Sequence, residues 1–292
     1  MSTDRKDWTG ERLETWIFSE NTNEHLHRYA MAMELCRDKK VLDIACGEGY
    51  GSKLLRTVAA AVTAVDIDAQ TVDNARKKYS GPGLDFLTGS AAAIPLPDAA
   101  YDVVVSFETI EHHDQHEEMM KEVKRVLRPG GTLIISSPDK KYYSDVPGYK
   151  NPFHIKELYK QEFETLMKAY FKYTRFYSQR SFNGSVVMAD NDHDAAEPKM
   201  YEGSYEALTT KGIEALYSIC IASDEPLAVT GSNSLFNGAD VLKAQFKELE
   251  DYVRGTTTEQ VSVYFENAVK SSDEYRLGNA LLKRLPFLKK FL

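Results

Sequence analysis

Three glycines in five residues follow an apolar run in the segment VLDIACGEGYGS, residues 41–52. A glycine-rich turn between a strand and a helix lets a ligand touch the backbone, because no Cβ stands in its way. The spacing is G-x-G-x-G, and Ser52 takes the place of the third glycine in the G-x-G-x-x-G turn that binds dinucleotides. Asp43 and Glu48 put carboxylates where a pyrophosphate would be repelled. The turn therefore favours a ligand with a cationic group such as an ammonium.

Strand-like and helix-like segments alternate around this turn up to about residue 137. Runs rich in β-branched residues predict five strands: KVLDIA, AVTAVD, LDFLTG, YDVVVSF and TLIIS. Between them lie the helical segments GSKLLRTVAA, AQTVDNARKKY and DQHEEMMKEVKRVL. In the last segment one helical face carries Met119, Met120, Val123, Val126 and Leu127. The alternation predicts an α/β fold with a doubly wound, Rossmann-like parallel sheet covered by helices on both faces.

Further elements are predicted on both sides of this sheet. A helix in NTNEHLHRYAMAMELCRDK begins near residues 21–23, and a helix in IKELYKQEFETLMKAYF follows the fifth strand. Two later strands, YTRFYSQRSF and LYSICIAS, flank the polar stretch ADNDHDAAEPKMYEGSYEALTTKG, which is predicted to be a loop acting as a lid. From about Gly238 onward the chain is predicted to be helical. We therefore expect a domain over residues 1–236 and a helical C-terminal extension over residues 237–292.

Composition limits the classes of protein. The 292 residues include 42% hydrophobic residues and carry a formal net charge of −8, which argues against a broad nucleic-acid surface. Cys36, Cys46 and Cys220 are too few for a disulfide framework or a zinc site, so a reducing compartment is expected. The longest apolar stretch, VAAAVTAV, is far too short to cross a bilayer, and the start has no apolar signal region. We expect a cytosolic protein.

The segment VLDIACGEGYGS resembles the first motif of the class I S-adenosylmethionine-dependent methyltransferases. AVTAVDID is similar to the second strand of that family, TGSAAAIPLPDAAYDVVVSFETIEHH to its adenine turn and fourth strand, and VKRVLRPGGTLIISSPD to the helix and turn before its fifth strand. The resemblance covers about residues 40–140 and implies a cofactor half there, with an acceptor and lid part over residues 141–236. It also implies S-adenosylmethionine as the cofactor. The chain has Ser90 where the family often has Asp, and a hydroxyl accepts a hydrogen bond from the adenine less strongly.

The resemblance implies a role for each matching residue. Asp43 is expected near the amino group of the methionine part, and Ala45, Gly47 and Gly49 are expected to border that part. Asp66 is expected to accept hydrogen bonds from both ribose hydroxyls, with a helix N-cap as its structural alternative. The other expected cofactor contacts are Ile67 on the adenine face, Ser90 and Ala91 at the adenine edge, Phe107 and Glu108 beside the sulfonium, and Arg28 and Tyr29 on the covering helix.

Histidines are the candidate groups for the chemistry of transfer. Methyl transfer is an in-line displacement on the sulfonium carbon, so the enzyme aligns the acceptor, excludes water and removes one proton. His154, predicted to open the helix after the fifth strand, is the expected general base, with capping of that helix or a hydrogen bond to the loop as its alternative. Glu111 and His112, just past the fourth strand, are candidate catalytic residues, with a structural or cofactor-orienting role as their alternative. The candidate metal ligands in HHDQHEE lie on one helix and mostly face solvent, so no metal site is expected.

A second resemblance concerns the acceptor. TGERLE followed by EHLHRYAMAMELCRDKKVLDIACGEGYGS is similar to methyltransferases that accompany bacterial surface-polysaccharide (O-antigen) biosynthesis. It implies transfer to a hydroxyl, or less readily an amine, of a nucleotide-linked or lipid-linked sugar. Aromatic rings stack on sugar faces, and the expected acceptor contacts are Tyr142, Tyr143, Tyr149 and Asn151. A small hydrophobic acceptor such as a quinone, and a non-catalytic scaffold that only binds the cofactor, are the alternatives.

The last segment, residues 276–292, is basic and amphipathic. Such a segment can lie on an anionic membrane face, at the inner side of the membrane for a cytosolic protein. It can equally pack on a partner subunit or on the domain itself. Peripheral membrane contact and homo-oligomerisation therefore stay open, and no nucleic-acid partner is expected.

Overall fold

The computed structural model describes residues 10–185, 200–210, 212–227, 233–255 and 263. Residues 189–199 and 211 of the predicted lid and the basic tail, residues 276–292, lie outside these residues. By its contacts the chain divides into two compact units, Met1–Phe236 and Asn237–Leu292.

A seven-stranded sheet forms the centre of the first unit. Its order is β3-β2-β1-β4-β5-β9-β6, and β9 runs antiparallel to both of its neighbours whereas the other pairs are parallel. A separate two-stranded hairpin, β7-β8, forms within the stretch predicted to be a loop. The strands are β1 (Lys40–Ile44), β2 (Ala61–Asp66), β3 (Leu84–Thr88), β4 (Tyr101–Ser106), β5 (Leu127–Pro138), β6 (Tyr173–Gln179), β7 (Tyr201–Gly203), β8 (Leu208–Thr210) and β9 (Tyr217–Ser223).

Five helices of this unit flank or precede the strands, and the ends of two of them differ from the prediction. The first helix begins earlier than predicted, because Ser19 caps it and its backbone N–H donates to Thr22 Oγ1 at 3.1 Å. The fifth begins later, because the Tyr159 N–H donates to Glu162 Oε2 at 2.9 Å and starts the helix there. The helices are α1 (Glu20–Cys36), α2 (Tyr50–Arg56), α3 (Ala69–Tyr79), α4 (His116–Val126) and α5 (Lys160–Tyr170).

Strand β1 is buried on both faces and divides the core into two clusters. Leu42 and Ile44 pack in one cluster with α4 and α5, while Val41 packs in the other with residues of α1, α2 and α3. The apolar face predicted for α4 is confirmed, since Met119, Met120, Val123 and Val126 are all buried, and Leu127, which is also buried, is the first residue of β5. The predicted doubly wound α/β fold is therefore confirmed, and the order of the strands reverses between β1 and β4, where open sheets of this kind bind ligands.

The second unit is described mainly by one helix, α6 (Ala239–Gly255). Its position agrees with the helical character predicted from about residue 238. Across the part of the chain that the structure describes, no helix combines the length and apolar character that a membrane span requires. Cys36, Cys46 and Cys220 are buried free thiols.

Candidate active site

Each of the three glycines after β1 is required at its position for a different structural reason. A Cβ on Gly51 would lie 1.9 Å from Tyr29 Cζ, so this glycine lets α1 pack closely on α2. A Cβ on Gly49, whose φ is +91°, would lie 2.8 Å from a ring carbon of Phe86. Gly47 has a φ of +53°, and its nearest neighbour would be Arg12 Cδ at 3.8 Å. Gly47 is therefore the glycine of this turn whose open side leaves room for a ligand.

Asp43 lies within β1 and is almost completely buried. Ser52 Oγ donates to its Oδ2 at 2.6 Å, and the Tyr29 hydroxyl lies 3.5 Å from the same oxygen. Burial raises the pKa of Asp43 from 3.8 to about 7, against the effect of these two hydrogen bonds, and the charge of Asp66 raises it further. A buried carboxylate of this kind gains from a cationic ligand, as expected for the amino group of a methionine.

Asp66 ends β2 and fastens the glycine turn. Its Oδ2 accepts the Gly47 N–H at 2.9 Å, its Oδ1 accepts the Asp68 N–H at 3.0 Å, and Arg12 Nη2 lies 3.4 Å from Oδ1. The N-cap of α3 is Asp68, which accepts the Thr71 N–H at 2.9 Å. The capping alternative for Asp66 is therefore wrong, because its carboxylate faces the turn instead of the helix.

Glu48 does not face a ligand as the charge pattern suggested. Its carboxylate is paired with Lys78 and accepts the Tyr79 hydroxyl at 3.1 Å, so its charge is balanced within the protein. The negative potential at the turn comes from Asp43 and Asp66 instead.

The predicted adenine contacts lie beside Asp66. Ile67 is an exposed apolar side chain, with 71% of its surface accessible. Ser90 and Ala91 form a narrow turn in which Ser90 Oγ accepts the Ala92 N–H at 3.2 Å. The Gly89 N–H donates to the Asp66 carbonyl at 2.9 Å, which fastens this turn to the end of β2. One acceptor position of the Ser90 hydroxyl is thus used within its own turn.

Arg28 reaches from α1 to the ends of the central strands and is completely buried. Its Nη1 donates to Gln179 Oε1 at 2.7 Å and lies 4.0 Å from Glu108 Oε1. Its guanidinium lies 4.8 Å from the Tyr217 ring centre. Among the described residues its Nε and Nη2 have no hydrogen-bond partner. Two free donors on a buried cation suit a carboxylate-bearing ligand, in agreement with the cofactor contact predicted for Arg28.

Phe107 and Glu108 follow β4 at the point where the strand order reverses. The Phe107 ring meets the Tyr29 ring edge-on at 5.2 Å between centroids, so the covering helix packs on this end of the strand. Glu108 has a φ of +51°, and its Oε1 accepts a hydrogen bond of 2.6 Å from Ser136 Oγ. The backbone turn at Glu108 and its link to β5 hold its carboxylate close to Arg28.

Glu111, His112 and His154 come together beyond β4, although His154 is 42 residues further along the chain. Each offers a ligand atom within 4.8 Å of those of the other two. The His112 and His154 rings meet edge-on at 5.1 Å between centroids. Burial raises the pKa of Glu111 and lowers that of His112. The prediction that His154 opens a helix is wrong, because α5 begins six residues later, after its own cap.

Three of the four predicted acceptor residues join this group, and one does not. The Tyr143 ring stacks on His154 at 5.1 Å and lies 5.9 Å from the Tyr149 ring, and Asn151 Nδ2 donates to the Tyr143 hydroxyl at 3.2 Å. Burial raises the pKa of Tyr143 to about 12. Tyr142 instead lines a separate cleft of about 280 Å³, because neighbouring side chains on a helical turn point in different directions.

The structure also adds residues that the sequence reasoning missed. Glu157 Oε1 lies 2.6 Å from His154 Nδ1, and the centroid of the Tyr217 ring lies 6.1 Å from that of Tyr143. Gln179 accepts a hydrogen bond from Arg28, and Ser52 donates one to Asp43. The His-x-x-Glu spacing of residues 154–157 was a readable signal for Glu157. The sequence carries no local signal for the contacts of Tyr217 and Gln179, because these contacts depend on how distant strands pair.

A doubly wound sheet with a carboxylate-rich glycine turn at its strand reversal defines a class of cofactor-binding α/β proteins. Residues 42–135 match a family model described as a methyltransferase domain. A probable S-adenosylmethionine-dependent methyltransferase of Mycolicibacterium smegmatis is 39% identical over 165 residues, which are 55% of this chain and 63% of the relative. Residues 42–135 are therefore similar to a methyltransferase domain, and this similarity agrees with the enzyme class and the cofactor predicted from the sequence.

Two more comparisons describe the range of similar proteins. A fatty-acid O-methyltransferase of the same organism is 31% identical over 137 residues, which are 44% of this chain and 49% of the relative. A crystal structure of a methyltransferase of Thermotoga maritima, described as a possible histamine N-methyltransferase, has a TM-score of 0.49 and 19% identity, covering 69% of this chain and 89% of that one. The chain spans less than two thirds of the length of each of the two Mycolicibacterium relatives. None of these three descriptions names a saccharide or a polysaccharide pathway.

Proposed function

We propose that the protein transfers the methyl group of S-adenosylmethionine to a hydroxyl group of a saccharide acceptor. The observation that carries this proposal is the group of proton-binding side chains beyond β4. Glu111, His112 and His154 gather next to Glu108, where the sulfonium is expected, and Tyr143 packs against them. Donor and acceptor chemistry would thus meet at one end of the central strands.

A hydroxyl acceptor accounts for this group better than an amine does. The sulfonium is already a good leaving group, and a neutral amine can attack with its own lone pair, whereas a hydroxyl must be activated as its proton leaves. The predicted base, His154, donates its Nδ1–H to Glu157, so the remaining lone pair is that of Nε2, which accepts from Asn151 Nδ2 at 3.0 Å until an acceptor displaces it. This is the atom at which an acceptor hydroxyl is activated.

A saccharide fits the remaining walls. Tyr143 and Tyr149 offer aromatic surface on which a sugar ring can stack, and Asn151 offers an amide beside them. This mixture of flat apolar faces and polar edges matches a sugar, whose ring has both. The similarity of the N-terminal segments to methyltransferases of surface-polysaccharide pathways supports the same acceptor, nucleotide-linked or lipid-linked.

A lipid or other small hydrophobic metabolite is the second candidate acceptor. It is favoured by one relative, whose name gives a fatty acid as the group that is O-methylated. The same tyrosine faces would then cover an apolar chain or ring. Transfer to oxygen is common to both candidates.

Methyl labelling separates these acceptors. The purified protein and radiolabelled S-adenosylmethionine are incubated with cell extract that is then split into nucleotide-sugar, membrane-glycan and organic-soluble fractions. Label in a glycan-related fraction is the expected result, and label only in the organic-soluble fraction would replace the saccharide by the lipid acceptor.

His154→Ala should remove the label, and near-normal turnover of this variant at saturating acceptor would refute the role of His154 as general base. No label in any fraction would favour the non-catalytic scaffold.

Association with a membrane through residues 276–292 is a separate proposal. It is supported by the basic and amphipathic sequence of that segment. Pelleting of the full chain with anionic liposomes, compared with a chain lacking residues 276–292, tests it. Equal pelleting of the two would exclude the segment as a membrane anchor.

A further inference from the structure

Two histidines and a buried glutamate from two separate segments face one another beyond β4. Glu111 and His112 lie on the short helical turn Ile110–His112, and His154 lies in the loop before α5. The backbone joins the two segments, because the N–H groups of Ile155 and Lys156 donate to the Glu111 carbonyl at 2.8 and 3.1 Å. The side chains are therefore brought together by a fixed connection between the segments.

The hydrogen bonds of the two rings identify which nitrogen of each is free to bind a ligand. His154 Nδ1 lies 2.6 Å from the Glu157 carboxylate, and His112 Nδ1 lies 3.1 Å from the Phe153 carbonyl. An ionised carboxylate and a carbonyl can only accept, so both Nδ1 atoms carry the proton. Each ring therefore presents the lone pair of Nε2, which in His154 accepts a hydrogen bond from Asn151 Nδ2 at 3.0 Å.

Glu111 is the third candidate ligand. Its side chain is 1% exposed, its Oε1 lies 3.9 Å from His112 Nε2, and its Oε2 has no hydrogen-bond partner among the described residues. A buried carboxyl oxygen without a partner is unfavourable unless a donor or a cation meets it. One carboxyl group and two imidazoles whose ligand atoms lie within 4.8 Å of one another form a candidate set of metal ligands.

We propose that Glu111, His112 and His154 bind a divalent transition-metal cation. Two imidazoles and one carboxylate suit ions such as Zn²⁺, Fe²⁺ or Mn²⁺ better than Mg²⁺ or Ca²⁺, which prefer oxygen ligands. The Glu157 carboxylate and the Phe153 carbonyl take the place of the outer partners that orient metal-bound histidines. Sequence reasoning placed the candidate ligands on one helix and so missed the contribution of His154.

Asn151 marks where the cation would enter. Its Nδ2 lies 3.0 Å from His154 Nε2, while its Oδ1 accepts the Phe153 N–H at 3.0 Å, which fixes the orientation of the amide. The cation displaces this weak neutral hydrogen bond, and Asn151 keeps its hydrogen bond to the Tyr143 hydroxyl. Tyr143, which packs on His154, would then lie beside the ion.

The role of the cation in methyl transfer rests on the proposed function. An acceptor hydroxyl bound to the cation loses its proton to solvent more readily than a free hydroxyl. The oxygen then forms a bond to the methyl carbon, the carbon–sulfur bond breaks, and its electron pair stays on sulfur. In this scheme His154 acts as a ligand, so the cation takes over the activation of the hydroxyl that the proposed function otherwise assigns to His154 Nε2 as a general base.

Metal binding to the full chain is the direct test. The protein is treated with EDTA, freed of the chelator, and titrated with Zn²⁺ by calorimetry and with Co²⁺ while visible absorption is recorded. One ion per chain is expected, with affinity reduced at least about 100-fold in His112→Ala and in His154→Ala, and about 10–100-fold in Glu157→Gln. His27→Ala is the matched control, because His27 lies on α1 and pairs with Ser234 Oγ at 2.8 Å. Thermal unfolding without metal checks that each variant folds.

The outcomes are distinct. Absence of stoichiometric binding, or binding retained in both folded histidine variants, overturns the proposal. If those variants do not fold, the Co²⁺ absorption of folded Glu157→Gln decides the outcome. The proposal is supported if the wild type shows absorption typical of nitrogen ligands and this absorption weakens in Glu157→Gln. It is overturned if the absorption is the same in both proteins. Full methyl transfer by chelator-treated protein that binds no ion overturns the metal site and leaves the proposed function standing. Ion binding without label in any acceptor fraction supports the metal site and overturns the proposed function.

Discussion

The residues expected to bind the cofactor and those expected to bind the acceptor are positioned by different means. On the cofactor side Asp43, Gly47 and Asp66 lie within a few residues of a strand end, and the hydrogen bond between Gly47 and Asp66 joins the ends of two neighbouring parallel strands. On the acceptor side Tyr143, His154 and Tyr217 come from a loop and a distant antiparallel strand. Local motifs thus determine the first side, whereas long-range packing determines the second.

The comparison predicts that the cofactor side tolerates little change in volume. Gly51→Ala adds a Cβ at 1.9 Å from Tyr29 Cζ, so α1 must move away from α2. We expect a loss of stability of about 3 kcal/mol, at the upper end of the usual cost of overpacking. Gly81→Ala is the control, since nothing lies within 4 Å of its added Cβ. Chemical denaturation measures both, and equal midpoints would contradict the close helix packing.

Substitutions on the two sides should affect cofactor binding and acceptor binding separately. Asp66→Ala should weaken binding of S-adenosylhomocysteine about 10–100-fold, because charged hydrogen bonds to the ribose contribute about 1.5–3 kcal/mol. Tyr143→Ala should leave this affinity within about twofold and raise the KM for the acceptor instead. Calorimetry and acceptor kinetics measure the two effects. A comparable loss of cofactor affinity in Tyr143→Ala would show that the sides are coupled.

The difference between the sides also explains how much was predictable. The first four strands of the cofactor half and the buried face of α4 follow from local patterns, whereas β5 begins at Leu127, five residues before the run TLIIS that predicted it. The loop before α5 does not follow, because the Tyr159–Glu162 cap delays the helix and leaves His154 outside it. The hydrogen bond between His112 Nδ1 and the Phe153 carbonyl joins residues 41 positions apart, so no local pattern in one sequence could indicate it.

Asp43 makes the cofactor side sensitive to pH. Its folded pKa of about 7 lies above its ordinary value of 3.8, so between these values the folded protein keeps a proton that the unfolded chain has lost. Stability should therefore fall as the pH rises from about 4 to 7, and Asp43→Asn should reduce this slope. Binding of the ammonium of S-adenosylhomocysteine requires the ionised form, so affinity should rise roughly tenfold from about pH 6 to 8. A wild-type profile as flat as that of Asp43→Asn would contradict this role.

The smallest expected effect concerns the one departure from the family pattern on the cofactor side. Ser90 Oγ already accepts the Ala92 N–H, which limits what it can offer to an adenine amino group. In Ser90→Asp one carboxylate oxygen can accept that N–H while the other stays available. We expect binding of S-adenosylhomocysteine to tighten about two- to fivefold, since a charged acceptor forms the stronger hydrogen bond. Calorimetry checks this, with Ser90→Ala as the control that should bind more weakly than the wild type. If Ser90→Asp binds S-adenosylhomocysteine no better than Ser90→Ala does, the adenine edge does not lie at this turn. The local motif would then have predicted the wrong adenine contact on the cofactor side, where the other contacts follow from local motifs.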